Sequence, residues 1–375
     1  MYPKVTVNVT NGNLQRSIAV EDAVCGICAT AGSSATNGKL LEVYSLADAE
    51  SKGVTAEAEP LIHKLVRQFY QELGGKQLLY IYGSDDSSMD VIVGANTSTG
   101  LNKMLTLAGG KLNLVAVSGD DWNGDGFLAD EVADAVIASK AVCQAWQNRN
   151  YPVRLFLNGH VMDESVANTY QPKEGTNGYA AVVLGGEDTT GDAAVGIALG
   201  RASKYGAEVK LGNGQNGALS LTQVYIGHQK MEEREDMETL HDAGFLTFQV
   251  RPGSAGYYFG VDNMCSVDDF RILAHGRVID KAQRIAAQAY QPFVEDSLRV
   301  ERDGTINQSD ASYMELVLDS AIRSAMSEQI SDLKVVIDTA QDIVNTSTLE
   351  VGCSILPLGY MTWINVTIGL TNKLE

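Results

Sequence analysis

The final segment of the chain, Thr362 to Asn372, alternates strictly. Ile364, Val366, Ile368 and Leu370 are separated by Asn365, Thr367, Gly369 and Thr371. Successive side chains on a strand point to opposite faces, so this pattern predicts a strand with one buried face. Near the other end, Val5, Val7 and Val9 alternate in the same way with Thr6, Asn8 and Thr10. Chain ends fray unless something ties them down. Patterned strands at both extremities therefore predict that both are docked into a sheet, their own or a neighbour's.

Between the ends the periodicity changes character. After a turn signal at Asn11-Gly12-Asn13, Asp22 to Thr30 is small and apolar and predicts a buried strand. Leu61, Ile62, Leu65, Val66, Phe69, Tyr70 and Leu73 recur at helical spacing, entered by Pro60 and stopped by Gly74-Gly75. Leu78 to Tyr82, Leu112 to Ser118 and Val153 to Leu157 predict strands, the last two separated by a helix carrying Val132, Ala135, Val136, Val142 and Trp146. Strands and helices in alternation predict an α/β sheet. Beyond residue 160 glycine becomes frequent, and Val182–Leu184, Val195–Leu199 and Leu219–Ile226 predict strands or short helices. Met231–Ala243 predicts an acidic helix ended by Gly244, and Phe245–Val250 and Tyr257–Phe259 predict strands. Phe270–Ala274 predicts a strand running into a helix over 278–290. Ser309 or Asp310 would cap a further helix to Ala325. Leu333–Asp338, then Leu349, Val351, Cys353 and Ile355, complete a terminal β run before a Pro-Leu-Gly turn.

Composition narrows the function classes. A chain of 375 residues with 45% hydrophobic and 20% charged content is ordinary for a globular protein, and its length predicts two domains or lobes. A formal charge of −19, with no basic patch standing out against 47 acidic residues, argues against nucleic acid as a partner. It also means that copies of the chain repel one another, although physiological salt screens this beyond about 8 Å. No apolar run reaches the roughly 18 to 20 residues that span a bilayer. No basic-then-apolar leader opens the sequence, so folding in the cytoplasm with reduced thiols is expected for Cys25, Cys28, Cys143, Cys265 and Cys353.

Several motifs invite a chemical reading. Cys25-Gly-Ile-Cys28 has redox spacing, but a thiolate needs a helix N-terminus and these residues read as strand; a buried structural role is expected. Asp121, Asn123 and Asp125, with Gly126, open like a calcium loop. The twelfth position is Val132, however, so the loop is expected to bind calcium weakly or not at all. Gly212-Asn-Gly-Gln-Asn-Gly217 spells the dinucleotide fingerprint, yet the β-favouring Leu219–Ile226 follows where a helix should open. The histidines 63, 160, 228, 241 and 275 have no metal spacing, and neither a nucleophile elbow nor a phosphate loop is present. No cofactor and no catalytic residue is predicted.

Read in order, these pieces resemble the contractile tail sheath family of phages and related injection machines, over most of the chain. The C-terminal third carries most of the likeness. Leu240-His-Asp-Ala-Gly-Phe-Leu-Thr-Phe248 resembles that family's entry into a buried strand, and Tyr257-Tyr-Phe-Gly-Val-Asp-Asn263 stands where it has an aromatic-Gly-Ala-Arg-Thr segment. Phe270–Ala274 with the 278–290 helix, Pro292-Phe-Val294, and the closing order of helix, Asp338, Asn345-Thr346, strand, Pro turn and strand also match. Upstream, Leu61–Tyr82 and the small-residue stretch Gly191–Lys210 are similar to family elements. The chain departs at Tyr2-Pro-Lys-Val5, at Gly260–Asn263, which lacks the Arg and Thr, and at Tyr170-Gln-Pro172, which lacks an aromatic after the Pro.

The resemblance implies an α/β (α+β) fold, a mixed-sheet core with terminal strand arms. It divides the chain into an N-terminal arm (1–20), a core lobe (21–230), a C-terminal sheath domain (231–340) and a C-terminal β segment with its arm (341–375). It implies a structural, non-enzymatic subunit that polymerises into rings or a helix around an inner tube and contracts to drive that tube through a target envelope. Val5, Val7, Val9, Ile364, Val366, Ile368 and Leu370 would form the subunit-interface arms. Expected partners are other copies of the chain, the tube protein, and baseplate and tail terminator proteins, with no nucleic acid and no membrane insertion. The expected location is a virion tail or injection particle assembled in the host cytoplasm. The alternative is a nucleotide-binding α/β enzyme built on the Gly212–Gly217 loop; a third reading is a calcium-dependent surface module built on the Asp121 loop.

Overall fold

In the computed structural model, residues 20–121 and 128–370 are described. The expected strand at Val5–Val9 lies outside them. The first element is β1 (Cys25–Thr30), every residue of which is buried. It is followed by β2 (Leu40–Val43), α1 (Leu46–Ser51), α2 (Pro60–Leu73) and β3 (Leu79–Ser84). Next come α3 (Met89–Ile92), α4 (Gly100–Leu107), β4 (Leu114–Ser118), α5 (Ala133–Gln147), β5 (Arg154–Asn158), β6 (Ala180–Val183) and α6 (Val195–Lys204). The strands form one sheet in the order β2-β3-β1-β4-β5-β6. All neighbours run parallel except β2, which pairs antiparallel with β3 at the edge.

Helices cover both faces of this sheet, which is why its inner strands read as continuous apolar runs. Ile27, Ile81, Ala116 and Phe156 pack with Leu65, Phe69, Ile197 and Leu199 of α2 and α6. Cys28, Tyr82, Val117 and Leu157 pack on the other face with Leu101, Met104, Val136 and Trp146 of α4 and α5. Cys25 and Cys28 fall on opposite faces, as an offset of three on a strand requires. Burial pushes the Cys25 thiol up to about 12 and raises that of Cys28 as well. Neither is a reactive thiolate.

Two contacts define how α2 sits. Its N-terminus is joined to the loop after β1 through the buried Glu59. That carboxylate accepts from Gly32 N and Thr36 Oγ1 at 2.7 Å and from Ser33 N at 3.1 Å. Several donors and a helix N-terminus together offset the cost of burying a carboxylate. Along its length α2 packs on α6 at close range. A Cβ at Gly196 would lie 2.4 Å from Leu65 O, and one at Gly200 2.7 Å from Phe69 O. At its end α2 is stopped by Gly74 in the left-handed region, whose N–H donates to Tyr70 O.

The later chain differs more from expectation. Leu219–Ile226 forms only β7 (Tyr225–Ile226), paired antiparallel with β8 (Gln229–Lys230). The acidic helix shortens to α7 (Met237–Ala243), closed by the left-handed Gly244 as predicted. β9 (Phe248–Val250) and β10 (Tyr257–Phe259) make an antiparallel pair. Phe270–Ala274 is not a strand. Its end belongs to α8 (Leu273–Tyr290), because Asp262 O and Oδ2 accept from Leu273 N and Ala274 N at 3.0 and 3.2 Å and start the helix there. α9 (Gln308–Met326) is capped by Asn307, two or three residues before the expected cap at Ser309 or Asp310. β11 (Ile330–Val336), α10 (Ile343–Thr346) and β12 (Gly352–Pro357) follow, with β11 and β12 forming a two-stranded sheet.

The chain forms two compact units, one of Asp22–Lys281 with Pro357–Glu375 and one of Met1–Glu21 with Ala282–Leu356. The division falls within α8, while the expected boundaries at 230/231 and 340/341 lie inside the units. The smaller unit has its own core of Ile306, Ala311, Met314 and Ile337, with Tyr290, Phe293, Leu349 and Val351 packed on it. The fold is the expected mixed α/β one.

Candidate assembly surface

The sequence pattern that predicts a closing strand is present, but among the described residues it pairs with no sheet. Residues 358–370 form no ladder and no helix. Trp363, Ile364, Val366, Ile368 and Leu370 are between 71% and 107% exposed. The alternation therefore provides an apolar face that the chain leaves in water. Exposed apolar positions are common singly, but a contiguous run of this kind marks an interaction surface.

The root of this segment is fixed. Tyr360 donates its hydroxyl to Glu208 O at 2.6 Å, and its ring stacks on His275 of α8 at 5.7 Å. The Lys210 ammonium sits 5.5 Å over the same ring and donates to Thr362 Oγ1 at 3.4 Å. Lys210 also lies 3.6 Å from the buried Asp262, whose carboxyl burial raises. Burial, with Asp262 and Glu208 nearby, pushes the Tyr360 hydroxyl up to about 12, so it stays protonated and a donor. Past Thr362 no described hydrogen bond is made. Tyr360 follows a turn and belongs to no periodic pattern, and His275 looks like any isolated histidine. Sequence reasoning missed both for that reason.

The smaller unit supplies an open sheet edge. β11 and β12 each have one strand partner among the described residues. Val336 and Leu356 are exposed on them, as is Val344 on α10. Two-stranded sheets are marginal alone and have edges able to accept a further strand.

The other predicted positions give no second site. Val5, Val7 and Val9 lie outside the described residues, as do Asn123 and Asp125. Asp121 is exposed, its N–H donating to Ser87 O at 3.3 Å. No His/Cys/Asp/Glu group able to hold a metal occurs among the described residues. Gly212–Gly217 is not a strand-to-helix turn but a short 3₁₀ segment capped by Asn213. Its N–H groups are spent within the loop, Asn213 N on Lys210 O, Gln215 N on Asn213 Oδ1, Asn216 N on Asn213 O and Gly217 N on Gly214 O, and its carbonyls face arginines. Arg201 donates to Asn216 O and Ala218 O at 3.1 and 2.8 Å, and Arg251 to Gly212 O at 2.5 Å. A phosphate cradle needs free N–H groups at a helix start, and this loop lacks that helix.

The family model for the DUF2586 N-terminal domain matches residues 2–263, and that for the DUF2586 C-terminal domain matches residues 269–375. No curated protein matches. Among solved structures, the chain is similar to the contracted helical sheath of the anti-feeding prophage. The TM-score is 0.62 at 14% identity, over 99% of both chains. It is also similar to the contracted sheath complex of PVC, an extracellular contractile injection system, with TM-score 0.65 at 12% identity over 99% of this chain and 98% of that one. A sheath tail protein from Listeria innocua matches with TM-score 0.53 at 10% identity, over 91% and 93%. At these identities the likeness establishes the fold.

Proposed function

Because the chain belongs to the DUF2586 family and has the fold of contractile sheath proteins, we propose that it is a structural subunit of a contractile tail sheath. It polymerises around an inner tube and contracts to drive that tube through a target envelope, without catalysis of its own. Its partners are further copies of itself, the tube protein, and baseplate and terminator proteins, in a virion tail or injection particle assembled in the host cytoplasm. The observation that carries this reading is the anchored but uncovered alternation of Ile364, Val366, Ile368 and Leu370. It suits addition as a strand to a neighbour's sheet, where backbone pairing gives affinity and alternate side chains set register. The edges of β11 and β12 are the acceptor we favour, and Val5–Val9 would be a second arm of the same kind.

The energetics suit a polymer. Covering each of the four aliphatic side chains contributes about 1.5–3 kcal/mol, and each new hydrogen bond about 0.5–1.5 kcal/mol. Ordering and association oppose this by about 4–15 kcal/mol. One arm is then a modest binder, whereas arms repeated along a lattice act at high effective concentration.

Deletion of residues 363–375 tests the reading. The truncated chain is expected to keep the melting temperature of the parent and to give no tubes or rings by negative-stain electron microscopy. A truncated chain that unfolds would show that the segment completes its own domain. One that still assembles would remove the arm from the interface.

A further inference from the structure

The lysine that holds the root of the closing segment is also attracted by a buried carboxylate. Asp262 is 1% exposed. Its main-chain O and its Oδ2 accept from Leu273 N and Ala274 N and so start α8. Its Oδ1 accepts no hydrogen bond among the described residues. Lys210 Nζ stops 3.6 Å from that oxygen, beyond hydrogen-bond reach. The segment engages this ammonium instead: it lies 5.5 Å over the Tyr360 ring and donates to Thr362 Oγ1 at 3.4 Å. A buried carboxylate oxygen without a donor is costly while ionised and much less so once the carboxyl is protonated.

The charged and titratable groups around Asp262 come from every element packed there. The loop after α6 brings Lys210 and Glu208, α8 brings His275 and Arg277, and the segment brings Tyr360. Arg277 is turned to main-chain oxygens, donating to Tyr205 O and Gly206 O at 3.2 Å and to Asp22 O at 3.3 Å, with the Cys25 thiol beside it. Lys281 donates to Asp22 Oδ1 at 2.8 Å. Lys210 is the ion-pair partner that Asp262 has among the described residues.

We propose that Asp262 and Lys210 form a proton-operated latch on the root of the closing segment. With Asp262 protonated, Lys210 stays on Tyr360 and Thr362 and the root is seated. With Asp262 ionised, Lys210 closes onto Oδ1, gives up its contacts to the segment, and the root loosens. In the seated state burial raises the Asp262 carboxyl above its ordinary 3.8. In the loosened state the carboxylate gains the ammonium and contact with water, so its value falls. Seating is therefore fullest below the loosened-state value and is lost as pH rises through the seated-state one. In a sheath subunit the latch would set how freely the arm searches for a neighbour. That use rests on the sheath reading; the latch is a property of the single chain.

A nitroxide at Met361→Cys, with Cys353→Ser removing the exposed thiol, reports the mobility of the root in the full-length chain. Its immobile spectrum at acid pH should give way to a mobile one as pH rises, with a midpoint above 3.8. Asp262→Asn keeps a neutral group of the same shape, whose oxygen can accept from Ala274 N, and should hold the immobile spectrum at every pH. His275 also titrates in the range scanned; His275→Phe keeps a ring against Tyr360 and should keep the step. A step that survives Asp262→Asn, or that vanishes in His275→Phe, would overturn the latch. Coupling is reciprocal, so carboxyl NMR of Asp262 gives a reading that leaves Asp262 itself unchanged. Tyr360→Ala should lower its midpoint by about one pH unit, the equivalent of a roughly tenfold coupling. An unmoved midpoint would overturn the latch as well. Normal tubes from the 363–375 deletion would instead remove the arm reading and leave these single-chain results, and the latch, in place.

Discussion

Asp310 illustrates how a single half-buried side chain can report on local structure. It lies in the first turn of α9, where Arg299 donates from its backbone N–H at 2.9 Å and from Nε at 3.0 and 3.1 Å. These bonds hold its carboxyl at about 2, below the ordinary 3.8. A depressed folded value contributes stability that is present above the unfolded value and lost as pH falls through the folded one. The turn is therefore expected to loosen between pH 3.8 and about 2. Carboxyl titration by NMR should place the Asp310 midpoint near 2 and return it toward 3.8 in Arg299→Ala. An unmoved midpoint in that variant would assign the depression to something other than the arginine. Nothing in the sequence marks this pair, because its members are eleven residues apart across a turn. The anchor at Tyr360 is unreadable for a similar reason: its partners Glu208, Lys210 and His275 come from other segments.

Elements were legible where a pattern was long or its punctuation clear. α2 shows both, with Pro60 at its start and Gly74 at its end. The apolar runs of β1 and of β3 to β5 are equally plain. β2 and α1 were missed, being an edge strand of four residues and a helix of six. α4 was overlooked although Leu101, Met104 and Leu105 have helical spacing. Phe270–Ala274 misled because Phe and Ile favour strands, while the cap that starts α8 comes from Asp262, remote in the local pattern. The closing alternation predicts a strand docked into a sheet, the chain's own or a neighbour's, and among the described residues it pairs with no strand. The α2–α6 contact had a readable cue in Gly196-x-x-x-Gly200, and it gives a direct test. Gly200→Ala puts a methyl group 2.7 Å from a backbone carbonyl and should cost about 1–3 kcal/mol in urea unfolding. Gly75→Ala meets nothing within 4 Å and should stay within about 0.5 kcal/mol of the parent. Equal effects from the two would refute the packing account.

At the scale of the whole molecule, charge and assembly oppose one another. In the proposed polymer, copies carrying −19 would have to be brought together, and the repulsion between them reaches about 30 Å at 0.01 M salt but only about 8 Å at 0.15 M. Tube formation, followed by light scattering, is therefore expected to start at lower protein concentration as salt rises over that range. The opposite trend would mean that the contacts joining subunits are ion pairs rather than apolar strands. Composition made this balance legible, since no residue has to be placed to know the net charge. The division of the chain within α8 was not legible, because a continuous helix carries no linker signal.

The uncovered segment beyond Thr362 also gives each subunit an age mark. Proteases take extended, solvent-accessible chain, and here that chain presents Trp363 and a run of aliphatic residues. In the proposed sheath, the same residues would be shielded once seated on a neighbour. On that reading a subunit left out of the polymer would be the one that is shortened, and a shortened subunit would no longer join. Trimming would then remove leftover copies while sparing every copy already incorporated, so the segment proposed to build the particle would also clear what was not used to build it.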